Sequence, residues 1–219
     1  MAFDAATLRI VRNPARKREL ALHAIEAIAE SGFARVNLRD IAARSHVSLG
    51  VIHYYFEDKN ELLIHCIALY KEAFVARLDE TIAAATTLAA LQAGFVAALV
   101  DAVDRHARTH RLWYDARAQA LFEPAFRPVV DAVETRLVDV MARLLARVDA
   151  LGGEWPHDGD GHAGGALELY LALDAWFRYA LQQALDGDAD AVTLLRDRLT
   201  RTLRLRPRAP LNAGGRLPA

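Results

Sequence analysis

The stretch from Asn37 to Phe56, NLRDIAARSHVSLGVIHYYF, restricts the possible folds more than any other part of this 219-residue chain. Leu38, Ile41 and Ala42 recur at spacings of three and four; Ser45 to Ser48 interrupts the pattern, and Val47, Val51 or Ile52, Tyr55 and Phe56 form the inward side of the part that follows. The pattern predicts two short helices broken by a tight turn. The side-chain oxygen of Asn37 can accept from a backbone N–H of the first helix, with Asp40 three residues on, and Ser48 is a suitable cap for a second helix running from Leu49 to Phe56. Helices of about seven or eight residues are unstable alone in water, so a third must cover them. It lies just upstream. From Pro14 to Ser31 the residues Leu20, Ala24, Ile25, Ile28 and Ala29 form one apolar stripe, Gly32 suits a C-terminal cap, and Phe33 and Val36 can close the small core.

Two short helices around a turn, backed by a third, make a helix-turn-helix, in which the second helix enters the DNA major groove. The words GFARVNLRDIAARSHVS, LGVIHYYF and EDKNELL resemble the N-terminal domain of the tetracycline-repressor (TetR) family of bacterial regulators. The match covers roughly the first quarter of the chain, and glycine, turn, aromatic pair, Phe56 and Lys59 keep their order. His46 stands where the family usually has a turn glycine, a place that needs a left-handed backbone, which histidine tolerates better than most residues. His53 stands where many relatives carry a tyrosine. The resemblance implies DNA contacts from Arg16, Asn37, Arg39, Ser48, Leu49, Gly50, His53, Tyr54 and Tyr55, with Lys59 reaching a phosphate from the start of the next helix.

Charge is consistent with a local rather than a global nucleic-acid surface. The formal net charge is −1, yet Arg9, Arg12, Arg16, Lys17 and Arg18 fall close together with no acid between them. Residues 1 to 13 read as a flexible arm. Hydrophobic residues make up 53% of the chain and charged ones 25%, enough for a sizeable core. A lone cysteine, Cys66, rules out an internal disulfide and fits a reducing cytoplasm. The N-terminus lacks the apolar run of a signal peptide, and no stretch is long and apolar enough for a membrane span.

Beyond Phe56 the chain reads as helical throughout. Asp58 and Glu61 form an acidic capping pair, and the helix they open runs to about Ala85, some 40 Å at the usual rise. Further helices are expected over Leu88 to Arg108, His110 to Phe122, Arg127 to Leu151, Ala163 to Leu185 and Ala189 to Leu203. The tail from Arg206, rich in proline and glycine, is expected to be disordered. The fold class is therefore all-α: a three-helix DNA-binding domain over 1–56, a larger helical effector-binding and dimerisation domain over 57–205, and a tail over 206–219.

The segment Leu167 to Leu181 is apolar almost all round and needs cover on both faces. A second subunit is the natural cover, with Leu169, Leu173 and Trp176 joined by Leu195 and Leu199 of the last helix in a four-helix interface. The resemblance agrees, since family members dimerise through their final two long helices, and a dimer would read near-palindromic double-stranded operator DNA. The family also binds small effectors. Candidate pocket residues are His65, Tyr70, Phe74, Phe95, Trp113, Tyr114, Arg117, Phe122, Asp174 and Phe177, although the same aromatics could equally fill a core. Further polar anchors are His110, Asp115, Gln119, Glu123, Glu168 and Arg178.

Other chemistry is weakly represented. His106 and His110 lack a third metal ligand, and the loop His157 to His162 lacks the spacing of a calcium site. Phosphate-binding glycine loops and nucleophile elbows are absent from the sequence, so neither an enzyme nor a metal or other cofactor is expected. The reading is a cytoplasmic, nucleoid-associated homodimeric regulator, a repressor released from DNA by a small, largely apolar effector of unspecified identity. The alternative is a ligand-independent DNA-binding or architectural protein controlled by a protein partner.

Overall fold

The local signals around residues 13 to 62 form the helices they predict. In the computed structural model, which describes residues 13–32, 34–155 and 165–208, α1 spans Pro14–Ser31 with proline in its first turn. Asn13, read as the end of a flexible arm, instead caps it: its side-chain oxygen accepts from the backbone N–H of Ala15 at 3.0 Å. Gly32 ends the helix at φ 85°, and its N–H donates to the Ile28 carbonyl at 2.8 Å. The rest of the expected arm, and Phe33, lie outside the described residues.

The next helix, α2 (Leu38–Arg44), opens on a reciprocal cap. Asn37 accepts from the N–H of Arg39 and Asp40, while Asp40 accepts from the Asn37 N–H. The turn follows with His46 at φ 53°, in the left-handed region. The third helix, α3, covers Leu49–Tyr55 and buries Ile52 and Tyr55. Ser48 precedes it without a side-chain cap bond, contrary to expectation. The fourth, α4 (Lys59–Ala84), starts on Asp58, which accepts from the Glu61 N–H at 2.8 Å. Glu61 in turn accepts from the Glu57 N–H, so the box closes one residue earlier than expected.

One long helix, α5 (Leu88–Ala120), stands where two were expected. The break is within it, at His106, whose φ of −127° leaves the helical region. After a single 3₁₀ turn at Pro124–Phe126 come α6 (Arg127–Ala150), α7 (Ala166–Leu185) and α8 (Ala191–Thr202). The expectation that no strand pairing occurs is corrected in one place. Gly153–Glu154 (β1) pairs antiparallel with Arg206–Pro207 (β2), clasped by ion pairs from Arg206 to Glu154 and from Arg208 to Asp149. The tail is therefore ordered through Arg208, because its arginines and backbone find partners before the proline-rich remainder begins. Residues beyond 208, and the loop 156–164, lie outside the described residues.

Contacts divide the chain into two compact units. The first holds the described residues up to Glu72 together with Arg108–Asp131; the second holds Ala73–Ala107 and those from Ala132 onward. Within the first, Leu20, Ile28, Ile41, Ile52, Phe56, Leu62, Ile67 and Trp113 are buried. Arg44 donates twice to Glu30, tying α2 to α1, and Lys17 donates to Glu61 at 2.9 Å, tying α1 to α4. The Cys66 thiol donates to the Ala21 carbonyl, and burial pushes its pKa up to about 12, so it packs rather than reacts. Within the second unit, Arg143 forms a two-point pair with Asp79, Arg147 caps the Ala85 carbonyl, and α7 packs on α8.

Two outcomes follow for stability. A left-handed non-glycine residue costs about 1–2 kcal/mol, and a glycine adds back about 0.5–1 kcal/mol of chain entropy. His46→Gly should thus raise unfolding free energy by up to about 1 kcal/mol in urea denaturation. His65 packs at a tilt against Phe56, ring centroids 5.7 Å apart; burial first, and then the positive charge of Lys17, lowers its pKa below the usual 6.5. The unfolded chain therefore takes up that proton more readily, so the stability His65 contributes is present above pH 6.5 and declines as pH falls below it. Thermal melts from pH 7.5 to 5.5 should show this decline, and His65→Gln should flatten it.

Candidate DNA-binding surface and ligand cluster

A helix of seven residues has room for two jobs only if its faces are sharply divided, and α3 is divided in that way. Ile52, Tyr55 and Phe56 are buried beneath it, whereas Ser48, Gly50, His53 and Tyr54 are exposed. Gly50, His53 and Tyr54 share one face by helical spacing. Leu49 is half-buried and Arg39, on α2, is exposed. A methyl group added at Gly50 would meet nothing nearer than the Ser48 hydroxyl at 3.7 Å, so packing within the chain does not require glycine there.

Several expected contacts are reassigned. Tyr55 is 8% exposed and packs edge-on to Tyr54 at 5.0 Å, so it supports the surface from below instead of touching a base. The Asn37 oxygen is occupied as a cap. Arg16 pairs with Glu19 at 2.6 Å, which competes with a phosphate for the same guanidinium. Lys59 stands half-buried at the first position of α4, and burial lowers its pKa.

The residues expected in a ligand pocket fall into both units. Phe74 and Phe177 meet at 6.5 Å in the second, where Phe95 is fully buried and Asp174 half-buried. In the first unit, His65 packs on Phe56 of the helix-turn-helix, and Phe122 is 85% exposed, so neither belongs to an enclosed wall. Phe122 lies between the end of α5 and the turn that opens at Pro124.

What remains in that unit is a denser cluster. Tyr70 meets His110 edge-on at 5.8 Å, and the ammonium of Lys71, 4% exposed, lies 4.9 Å from the Trp113 ring and 5.4 Å from the Tyr70 ring. Arg117 stacks between Trp113 and Tyr114 at 5.8 and 5.9 Å. The Tyr70 hydroxyl and the Trp113 Nε1–H are buried and reach no hydrogen-bond acceptor among the described residues. Burial, reinforced by the charge of Asp115, raises the Tyr70 pKa well above its usual value, so the hydroxyl keeps its proton and remains a donor. Sequence reasoning missed Lys71; its signal was a lysine directly after Tyr70 inside an otherwise apolar helical run.

Arg111 was missed as well. Lying one turn before Asp115, it faces that carboxylate at 4.0 Å and donates to the Ala29 carbonyl in the last turn of α1 at 3.4 Å. With Gly32, Arg35 and Asp115 it borders a cleft of about 350 Å³. Burial raises the Asp115 pKa, opposed by Arg111.

The apolar residues assigned to a subunit interface are also relocated. Leu169, Leu173, Leu195 and Leu199 are 0 to 4% exposed within a single chain, so they have no surface left to bury. Trp176 is half-buried under the Arg198 guanidinium at 5.0 Å. The exposed large apolar residues of α7 are Leu167, Leu171 and Tyr179, at 55, 53 and 49%. Among the described residues no helix is long and apolar enough to cross a membrane, and no three histidine, cysteine or acidic residues converge on a metal-sized site.

Comparison with known proteins places this geometry. Residues 23–66 match the family described as bacterial regulatory proteins, tetR family. The HTH-type transcriptional regulator BetI of Serratia proteamaculans is 28% identical over 204 residues, spanning 90% of this chain and 96% of its own. A solved TetR-family regulator from Rhodococcus sp. shares the fold with a TM-score of 0.69 at 18% identity, over 88% of this chain and 98% of that one. A transcriptional regulator from Saccharomonospora viridis, solved in complex with choline, does so at 0.72 and 19% identity, over 88% and 97%. The exposed face of α3, the matched segment and the near-full-length relative agree: residues 23–66 match the tetR family, and the chain as a whole is similar to transcriptional regulators of that family.

Proposed function

We propose that this regulator is a homodimeric repressor that binds a near-palindromic operator and releases it when a small molecule binds. The observation that carries the DNA reading is the division of α3, with Ser48, Gly50, His53 and Tyr54 outward and Ile52, Tyr55 and Phe56 inward. Bases would be met by that outer face and by Arg39. Phosphates would be met by Lys59 and, when it leaves Glu19, by Arg16. The DNA-reading segment is 1–56, and residues 57–205 carry effector binding and dimerisation.

Dimerisation is supported by α7. Leu167, Leu171 and Tyr179, with the exposed Ala175 between them, form a stripe at four-residue spacing about 18 Å long at the usual rise. A second copy of the same stripe covers it in an isologous pair, and two heads then reach successive turns of DNA. Release is supported by the Arg111 contact to the Ala29 carbonyl, because α5 carries both this contact and the Trp113 cluster. A ligand that favours one arrangement of α5 shifts the equilibrium only by its difference in affinity for the two states. The choline complex of the Saccharomonospora viridis regulator supports small-molecule binding on this fold.

Fluorescence anisotropy with a duplex selected from a randomised pool tests the DNA reading. Gly50→Ala should keep or slightly raise stability, since alanine is favoured in a helix by about 1 kcal/mol, yet weaken operator binding about tenfold or more where the backbone approaches DNA. Lys59→Ala should weaken selected and scrambled duplexes alike and reduce the salt slope by about one. A change in sequence preference on losing Lys59 would overturn its phosphate role. Light scattering tests the dimer: Leu171→Lys should yield a folded monomer that binds the operator poorly, whereas Leu173→Lys should unfold the chain by burying a charge.

A further inference from the structure

We propose that the cleft between the end of α1 and α5 is an anion site, in which Arg35 and Arg111 together hold the carboxylate or phosphate group of a small molecule. The cleft has a volume of about 350 Å³, and all its walls belong to the first compact unit. Arg35 stands exposed on its rim and makes no hydrogen bond or ion pair with any of the described residues. Gly32 and Ala118 carry no side chain long enough to fill the space, and the Gln119 amide adds a neutral donor at its edge. Binding here goes beyond the effector and operator readings and needs neither of them.

Arg111 differs from the guanidiniums that only hold the fold together. Arg44 makes a two-point pair with Glu30, Arg143 makes one with Asp79 at 2.8 and 3.0 Å, and Arg147 caps the Ala85 carbonyl at 2.6 Å. Arg111 has both kinds of partner and meets neither closely, standing 4.0 Å from the Asp115 carboxylate and 3.4 Å from the Ala29 carbonyl. A planar guanidinium gains most from two parallel bonds to one oxyanion, which neither partner supplies. Opposed to an anion are the Asp115 carboxylate and the carbonyl end of α1. Arg111 faces both, which leaves the charge of Arg35 uncompensated and the cleft net positive.

The test follows arginine side-chain N–H signals by NMR in the full-length protein, without DNA and at constant ionic strength, during titration with inorganic phosphate or with sodium acetate. Each signal is identified by its loss in the corresponding lysine variant. At least one of the two anions is expected to move the Arg35 and Arg111 signals along one saturating curve while those of Arg44 and Arg143 stay still. Whether phosphate or acetate saturates the pair at lower concentration identifies the group recognised. Arg35→Gln removes a side chain on which the fold does not depend, and it should weaken binding at Arg111 about tenfold, as befits loss of a charged donor. Arg111→Gln should weaken binding at Arg35 to a similar degree, with an unchanged Arg44 signal reporting an intact head. The proposal is overturned if neither anion saturates the pair, if the two signals drift linearly as those of other exposed arginines do, or if Arg35→Gln leaves affinity at Arg111 unchanged. Failure of the regulator reading would be seen separately, as no duplex preference in the anisotropy experiment.

Discussion

Phe56 is where the helix-turn-helix is held. Its ring is wholly buried, with the Lys17 ammonium 4.8 Å above it and His65 against it. Lys17 belongs to α1 and His65 to α4, so one side chain at the end of α3 is gripped by both flanking helices. Since α2 and α3 are each a single seven-residue helix, neither persists without this grip. The orientation of the exposed residues on α3 therefore depends on packing around Phe56, and the Lys17 to Glu61 pair closes the same joint from outside. That pair is partly exposed and contributes modestly; the apolar burial carries most of the stability.

The head shares its core with part of α5. Arg108–Asp131 falls in the same compact unit as α1 to α3, and Trp113 is among its most deeply buried side chains. Helical spacing puts His110, Trp113 and Arg117 on one side of α5 and Arg111 and Asp115 on another. One side meets Tyr70 and Lys71 of α4; the other reaches the last turn of α1 through Arg111. A rotation of α5 by part of a turn would thus change both sets of contacts at once. Under the proposed function such coupling would need no long relay, because α5 from Arg108 onward and the head lie within one compact unit.

Local chemistry was legible in the sequence wherever it acts between near neighbours. The Asn37 and Asp40 cap, the Gly32 stop, proline opening α1 and the strained His46 all depend on residues a few positions apart, and each took the predicted form. What could not be read was which way a side chain faces on a helix that is apolar all round. Along α7 the period identifies stripes but not their partners, so Leu169 and Leu173, expected outward, are buried while Leu167 and Leu171 are exposed. Tyr54 and Tyr55 posed the same problem over one residue: both are aromatic, and only the path of α3 decides that one is outside. The single break in α5 was misplaced because His106 carries no proline or glycine to mark it.

Lys71 shows why the remaining part was hidden. A lysine inside an apolar helix is ordinarily read as a side chain that extends to water along its aliphatic stem. Here it is 4% exposed, and its ammonium lies on two aromatic faces contributed by α4 itself and by α5, some forty residues away in the chain. Burying a charge in this way is expensive unless other groups compensate it. The Trp113 ring comes from another helix, and no spacing within α4 marks it as a neighbour of Lys71.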